Sequence, residues 1–172
     1  MTGLATTLVL GGARSGKSAF AERLVADSDL ARIYLATATA DDEEMKARIA
    51  HHRTQRGESW TTIEEPLALV DALTREATHG RAVLVDCLTL WLTNVLLSKG
   101  APVAAAADVV MAALSAHAGP LVVVSTEVGL GIVPDNELAR AFRDHAGRLH
   151  QRVAQAADRV VLVVAGLPME VK

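Results

Sequence analysis

Short runs of Val, Ile, Leu and Ala recur at residues 5–10, 32–36, 82–86, 121–125 and 159–165, separated by longer stretches in which apolar residues repeat at helical spacing. A strand covered by helices on both faces must be apolar at consecutive positions, because its side chains point alternately to the two sides. The runs therefore predict a mainly parallel sheet, with a weaker extended piece at 60–63. Helices are expected to begin near Lys17, Asp42, Pro66, Leu88, Val103 and Asn136, with Asp41, Asp135 and Pro66 as capping or first-turn residues. Alternation of this kind predicts a three-layer α/β architecture, with residues 1–172 as a single domain. The apolar window 88–97 is about half the length of a membrane span and contains Thr89, Thr93 and Asn94, so it reads as a buried helix and no membrane span is expected. Residues 126–135, with Gly129, Gly131 and Pro134, form the one long loop that looks more than connective.

Charge and cysteine content narrow the partners. The formal net charge is -3, with 17 basic and 20 acidic residues, so the basic surplus from which nucleic-acid binding draws affinity is missing. A small-molecule partner is expected. The single cysteine, Cys87, excludes an intramolecular disulfide and a multi-cysteine metal site and fits a reducing compartment; it reads as a small buried hydrophobe. The N-terminus carries no pattern of a secretory signal, which points to the cytoplasm.

The strongest chemical signal is GlyGlyAlaArgSerGlyLysSer, residues 11–18, directly after the first apolar run. Gly11, four further residues, then Gly16, Lys17 and Ser18 match the phosphate-binding loop pattern. The glycines let backbone amides turn toward phosphate oxygens and the following helix adds its positive end. Lys17 can reach the β and γ phosphates, and Ser18 can hold Mg2+. Such a loop needs a second acid near the metal, normally at the end of a neighbouring strand, and Asp86 closes the run 82–86. Arg14, inside the loop, is either solvated or a phosphate contact.

Two further segments leave alternatives open. In the helix expected from Asp42, Met45, Ile49 and His52 share one face, whereas His51 falls with Glu44, Ala47, Arg48 and Gln55 on the other. A neutral imidazole is a competent nucleophile toward phosphorus, and Arg48, Arg53 and Arg56 could steady developing charge; the spacing permits this chemistry without demanding it. The late helix carries Leu138, Phe142, His145, Leu149 and Val153 on one face. Arg140, Asp144, Arg148 and Arg152 form a charged row on another, read as a solvated face with i to i+4 pairing or as a contact to an anion or a subunit.

Taken together, the loop at 11–18, ArgIleAlaHisHisArg from Arg48, AspCysLeuThrLeuTrpLeuThrAsn from Asp86, GluValGlyLeuGlyIleValPro from Glu127 and ArgAlaPheArgAspHisAlaGlyArg from Arg140 resemble one family. It is the bifunctional adenosylcobinamide kinase and adenosylcobinamide-phosphate guanylyltransferase family of cobalamin biosynthesis, and the resemblance covers essentially the whole chain. It implies a RecA-like P-loop fold assembled as a homotrimer. It also implies phosphorylation of the aminopropanol hydroxyl of adenosylcobinamide by ATP or GTP, then transfer of GMP from GTP onto adenosylcobinamide-phosphate with release of pyrophosphate.

By the same resemblance the GMP passes through the first of two adjacent histidines, here His51, with Lys17 as the other catalytic residue. Nucleotide contacts are implied for Gly11, Gly12, Ala13, Arg14, Ser15, Gly16, Lys17 and Ser18, for Ala36, Thr37 and Ala38, for His52, Arg53, Thr54, Gln55 and Arg56, and for Glu64 and Asp86. Ser18 and Asp86 would hold Mg2+. The chain departs from the family's common Asn at Thr126 and common AsnGln at His150 and Gln151. Two other readings of the P-loop remain: a single-activity kinase for another small hydroxyl substrate, and a nucleotide-binding regulatory module.

Overall fold

The computed structural model describes residues 6–39, 43–98 and 102–172; the side chains at positions 44, 45, 48, 51, 52 and 55 lie outside that description. The elements run β1 (Thr7–Gly11), α1 (Lys17–Ala26), β2 (Ala31–Ala36), α2 (Glu43–Arg56), β3 (Trp60–Glu64), α3 (Leu69–Glu76), β4 (Arg81–Asp86), α4 (Leu88–Leu97), α5 (Val103–Ala116), β5 (Leu121–Thr126), α6 (Glu137–Ala156), β6 (Arg159–Val164) and β7 (Leu167–Glu170). One sheet of order β3-β2-β4-β5-β1-β6-β7 results. Every neighbouring pair in it is parallel except β6 with β7.

The consecutive apolar positions do what their period requires. Val83, Val85, Leu121 and Val123 point into one core with Leu69, Leu73, Leu92, Val110 and Leu149 of the helices on that face. Their strand neighbours Leu84, Val122 and Val124 point to the other, against Phe20, Ala21 and Val25 of α1. Helices thus cover both faces of the sheet, and the three-layer P-loop architecture expected from the sequence is present. Among the described residues α2 contributes to neither core.

Several boundaries differ from expectation for local reasons. β7 was not foreseen, because the chain reverses within two residues: Ala165 and Gly166 take left-handed φ values of 51 and 80, and β7 then pairs back on β6. Pro66 lies before α3 rather than starting it; the Glu65 carboxylate accepts from the amides of Leu67 and Ala68 and caps that turn. Asn136, not Asp135, caps α6, accepting from the Ala139 amide at 2.8 Å. Asp41 and Asp42 lie outside the described residues. On α6 the apolar face begins at Phe142, since Leu138 is 55% exposed.

Candidate nucleotide site

The loop after β1 is shaped by backbone requirements. Gly16 sits at φ 92, and a Cβ there would lie 3.1 Å from the Gly166 Cα; a Cβ on Gly11 would lie 2.7 Å from the Val163 carbonyl oxygen. The turn between β6 and β7 braces the loop, the Gly166 amide donating to the Ser15 carbonyl at 2.8 Å. Lys17, the first residue of α1, donates to the Gly12 carbonyl at 3.1 Å and so curls back over its own loop. The Ser15 hydroxyl is buried without a partner among the described residues. Arg14 takes a left-handed φ of 55 and is exposed. From the neighbouring strand, the Glu127 amide donates to the Gly11 carbonyl, which ties the long loop after β5 to the start of the phosphate loop.

Asp86 ends β4 one strand further on. Its carboxylate accepts from the Tyr34 hydroxyl at 2.8 Å, a contact that follows from register: Ala36 pairs with Asp86, so Tyr34 and Asp86 share a face two residues apart. The Arg56 guanidinium stacks on the Tyr34 ring 3.5 Å from its centroid and lies 3.6 Å from the Glu22 carboxylate, with its side chain only 3% exposed. Burial raises the Glu22 pKa, and the pairing with Arg56 only partly offsets that rise. Burial and then the Asp86 charge push the Tyr34 phenol far up, so it is a hydrogen-bond donor at any physiological pH. The chain Glu22, Arg56, Tyr34, Asp86 links the last turn of α2 to the phosphate-loop helix and to the candidate metal acid.

Above these residues opens a cleft of about 400 Å³. It is lined by Lys17, Ala36, Ala38, Glu64 and Asp86, by Ile49, Arg53 and Arg56 of α2, and by Thr89, Leu90, Thr93, Thr126, Val128 and Phe142. The outlying pair Arg53 and Glu64 is 3.8 Å apart and exposed. Of the residues implied by resemblance, the structure thus brings Lys17, Ala36, Ala38, Arg53, Arg56, Glu64 and Asp86 to one cavity, beside the loop of Gly11, Gly12, Ala13, Arg14, Ser15, Gly16 and Ser18.

Thr37 and Thr54 are not brought there. Thr37 is fully buried and holds the Cys87 backbone, accepting from its amide at 2.8 Å and donating to its carbonyl at 2.7 Å. Thr54 donates to the Ala50 carbonyl and lines a separate shallow depression with Lys46, Ile49, Ala50 and Arg53. The side chains of His51, His52 and Gln55 lie outside the described residues. At about 100° per residue, position 52 falls beside positions 49, 53 and 56, and position 51 falls about 160° from position 49.

Other features were not anticipated by sequence reasoning. Tyr34 and Glu22 have no motif, and only strand register or the turn spacing Ser18 to Glu22 could have pointed to them. His150, buried at 6% exposure, accepts from or donates to the Ser125 hydroxyl at 2.6 Å and lies 3.7 Å from Glu127. Burial lowers its pKa, opposed by Glu127. The charged row of α6 is not paired along itself: Arg152 bonds Asp108 of α5 at 2.8 Å, and Arg140 donates to the Pro134 and Asp135 carbonyls. Cys87 is buried, as expected, and burial raises its thiol pKa.

The donor chemistry of Ser18, beside the cleft, and of Asp86, in its lining, suits a magnesium ion. The Ser18 hydroxyl and the Asp86 carboxylate are hard oxygen ligands, and Tyr34 fixes the orientation of that carboxylate. Among the described residues no group of three or more His, Cys, Asp or Glu could hold a metal ion. No helix of the described residues is long and apolar enough to cross a membrane.

Comparison with known proteins agrees with the geometry. The family described as cobinamide kinase / cobinamide phosphate guanyltransferase matches residues 7–171. The chain is 52% identical over 166 residues to the bifunctional adenosylcobalamin biosynthesis protein CobP of Pseudomonas aeruginosa, covering 96% of each. It is 42% identical to the bifunctional adenosylcobalamin biosynthesis protein CobU of Salmonella typhimurium, covering 96% of this chain and 98% of that protein. Among solved structures, a prototypical ATPase from the type III secretion system of pathogenic bacteria superposes with a TM-score of 0.56 at 13% identity, over 96% of this chain and 56% of that one. The assembled ATPase EscN of enteropathogenic E. coli also gives 0.56, at 12% identity, over 94% of this chain and 43% of the other. At such identities these two likenesses concern the fold alone, and the chain spans about half of each ATPase.

Proposed function

The chain belongs to the cobinamide kinase / cobinamide phosphate guanyltransferase family, and from that premise we propose that both activities run in the one cleft above Lys17 and Asp86. It is a bifunctional enzyme of cobalamin biosynthesis that phosphorylates adenosylcobinamide and then guanylylates the phosphate. The observation that carries the single-site reading is the joining of a phosphate loop, an acid and the α2 residues Ile49, Arg53 and Arg56 around one cavity.

In the kinase step the amides of the loop and Lys17 hold the triphosphate of ATP or GTP. The acceptor hydroxyl oxygen attacks the γ phosphorus, the bond to the bridging oxygen breaks, and the nucleoside diphosphate leaves. In the second step an imidazole nitrogen of His51 attacks the α phosphorus of GTP and pyrophosphate leaves; an oxygen of adenosylcobinamide-phosphate then displaces the histidine, giving adenosylcobinamide-GDP. Lys17 and Arg56 face the charge that develops on the phosphates. Ser18 and Asp86 would hold Mg2+, which would supply positive charge against the phosphates. Because position 51 falls on the side of α2 away from position 49, the covalent route requires α2 to turn or shift when GTP binds. His52, Arg53, Thr54, Gln55 and Glu64 follow the nucleotide once α2 closes.

Assembly as a homotrimer rests on the family resemblance, and a cytoplasmic location on the single cysteine, which suits a reducing compartment. Incubation of the purified enzyme with adenosylcobinamide and GTP, with products separated by mass, tests the assignment. Adenosylcobinamide-phosphate followed by adenosylcobinamide-GDP is expected. Phosphorylation alone would reduce the protein to a kinase, and no corrinoid product would remove the assignment.

A further inference from the structure

The loop between β5 and α6 is held at both ends and projects apolar residues from its middle. At its start the Glu127 amide bonds the Gly11 carbonyl and the Gly129 amide donates to the Glu127 carboxylate. At its end Arg140 donates to the Pro134 carbonyl at 3.0 Å and the Asp135 carbonyl at 2.7 Å, and Asn136 caps the helix that follows. Between these ties Leu130 is 87%, Ile132 96% and Val133 57% exposed, and positions 128–134 carry no charged side chain. A group of large aliphatic side chains kept in water by a braced loop marks a contact surface rather than slack chain.

Its position says what it contacts. Val128, on the same loop, and Phe142, on the helix it leads into, already line the cleft, so the exposed tip extends the cavity wall at the β5 end of the sheet, three strands from Glu64 on β3. The cleft holds about 400 Å³, near the lower end of the range of roughly 300–1,000 Å³ that encloses a drug-sized ligand. That is room for part of a nucleotide and for the reacting arm of an acceptor, but not for a corrin macrocycle with its amide side chains. A substrate whose arm reaches Asp86 must leave its macrocycle outside the mouth.

We propose that the loop tip of Leu130, Ile132 and Val133 is the platform on which the corrin ring of the acceptor rests while its arm enters the cleft. The inference rests on the activity assigned above. The methyl- and methylene-rich face of the macrocycle suits aliphatic side chains, and bracing at both ends lowers the ordering cost of binding. A second copy of the chain is the competing occupant, and the molecular mass of the variants below separates the two. Leu167, Met169 and Val171 at the β7 edge are a separate exposed apolar surface.

The test compares the unsubstituted enzyme with the pair Leu130→Asp and Ile132→Asp and with the milder pair Leu130→Ser and Ile132→Ser. Readouts are KM for adenosylcobinamide in the kinase step, the dissociation constant for GTP, and molecular mass by light scattering. A rise in corrinoid KM of at least about tenfold for the Asp pair, smaller for the Ser pair, is expected, with GTP affinity and mass unchanged. An unchanged corrinoid KM overturns the platform while leaving the activity standing. A fall in mass overturns it in favour of contact between copies. If the unsubstituted enzyme turns over no adenosylcobinamide, the activity assignment fails and takes the platform with it.

Discussion

The phosphate loop and α2 face each other across one cleft, yet they are built on opposite principles. The loop is specified by backbone: glycine conformations, a hydrogen bond from the β6–β7 turn at 2.8 Å, and a helix whose Phe20, Ala21 and Val25 are buried in the core. α2, with the sequence GluGluMetLysAlaArgIleAlaHisHisArgThrGlnArg, adds no described residue to either core, and among the described residues Arg56 fastens it to Tyr34 and Glu22. A site that must grip phosphate identically in two reactions gains from rigidity. On the mechanism proposed above, an element that delivers a nucleophile in only one of them gains from an attachment made of a few polar contacts, which a ligand's phosphates can replace at little cost.

Substitutions that separate the two halves should differ in size accordingly. Lys17→Ala is expected to lower both activities by about a thousandfold, because each uses the same loop cation; assays of corrinoid phosphorylation and of guanylyl transfer check this, and loss of only one would break the shared-site account. Arg56→Ala leaves the Glu22 carboxylate buried and unpaired, and should cost about 3 kcal/mol in denaturant unfolding. Adding Glu22→Leu should recover much of that stability without restoring nucleotide affinity, which separates the fastening of α2 from phosphate binding.

Tyr34→Phe keeps the ring under Arg56 and removes only the bond to Asp86, so a loss of about 1–2 kcal/mol is expected, with a weaker response of the kinase rate to added magnesium. The smallest effect should come from His150. Its folded pKa lies below the ordinary 6.5, so protonation favours the unfolded chain: its contribution is intact above pH 6.5 and is lost as pH falls through the folded value. Stability measured from pH 7.5 to 5 should decline more steeply for the native enzyme than for His150→Asn. Parallel curves would show that this buried imidazole does not couple to folding.

The same contrast explains what could be read without coordinates. Strands buried on both faces, the loop at 11–18 and Asp86 were legible because each is local: a period, a spacing, an acid at a strand end. Tyr34, Asp86 and Arg56 were not legible as a unit, since their contacts depend on β2 lying beside β4 and on the end of α2 bringing Arg56 onto the Tyr34 ring. β7 was missed because Ala165 gives no sign of a reversal that needs a left-handed φ. Thr37 was assigned to nucleotide by the family resemblance, together with Ala36 and Ala38; its hydroxyl bonds the Cys87 backbone, a contact that no motif announces. Helical spacing in α2 puts positions 51 and 52 at different angles around the helix, but which imidazole meets a phosphate is a property of how the helix is carried, not of the helix itself.

The central claim is that α2 carries a nucleophile to a triphosphate held by the loop. Incubation with GTP labelled at the α phosphate, followed by denaturing electrophoresis, measures it directly. The account predicts an acid-labile label on the native protein, no label on His51→Ala although that variant still binds GTP and phosphorylates adenosylcobinamide, and little label on Lys17→Ala. Full labelling of His51→Ala would contradict it.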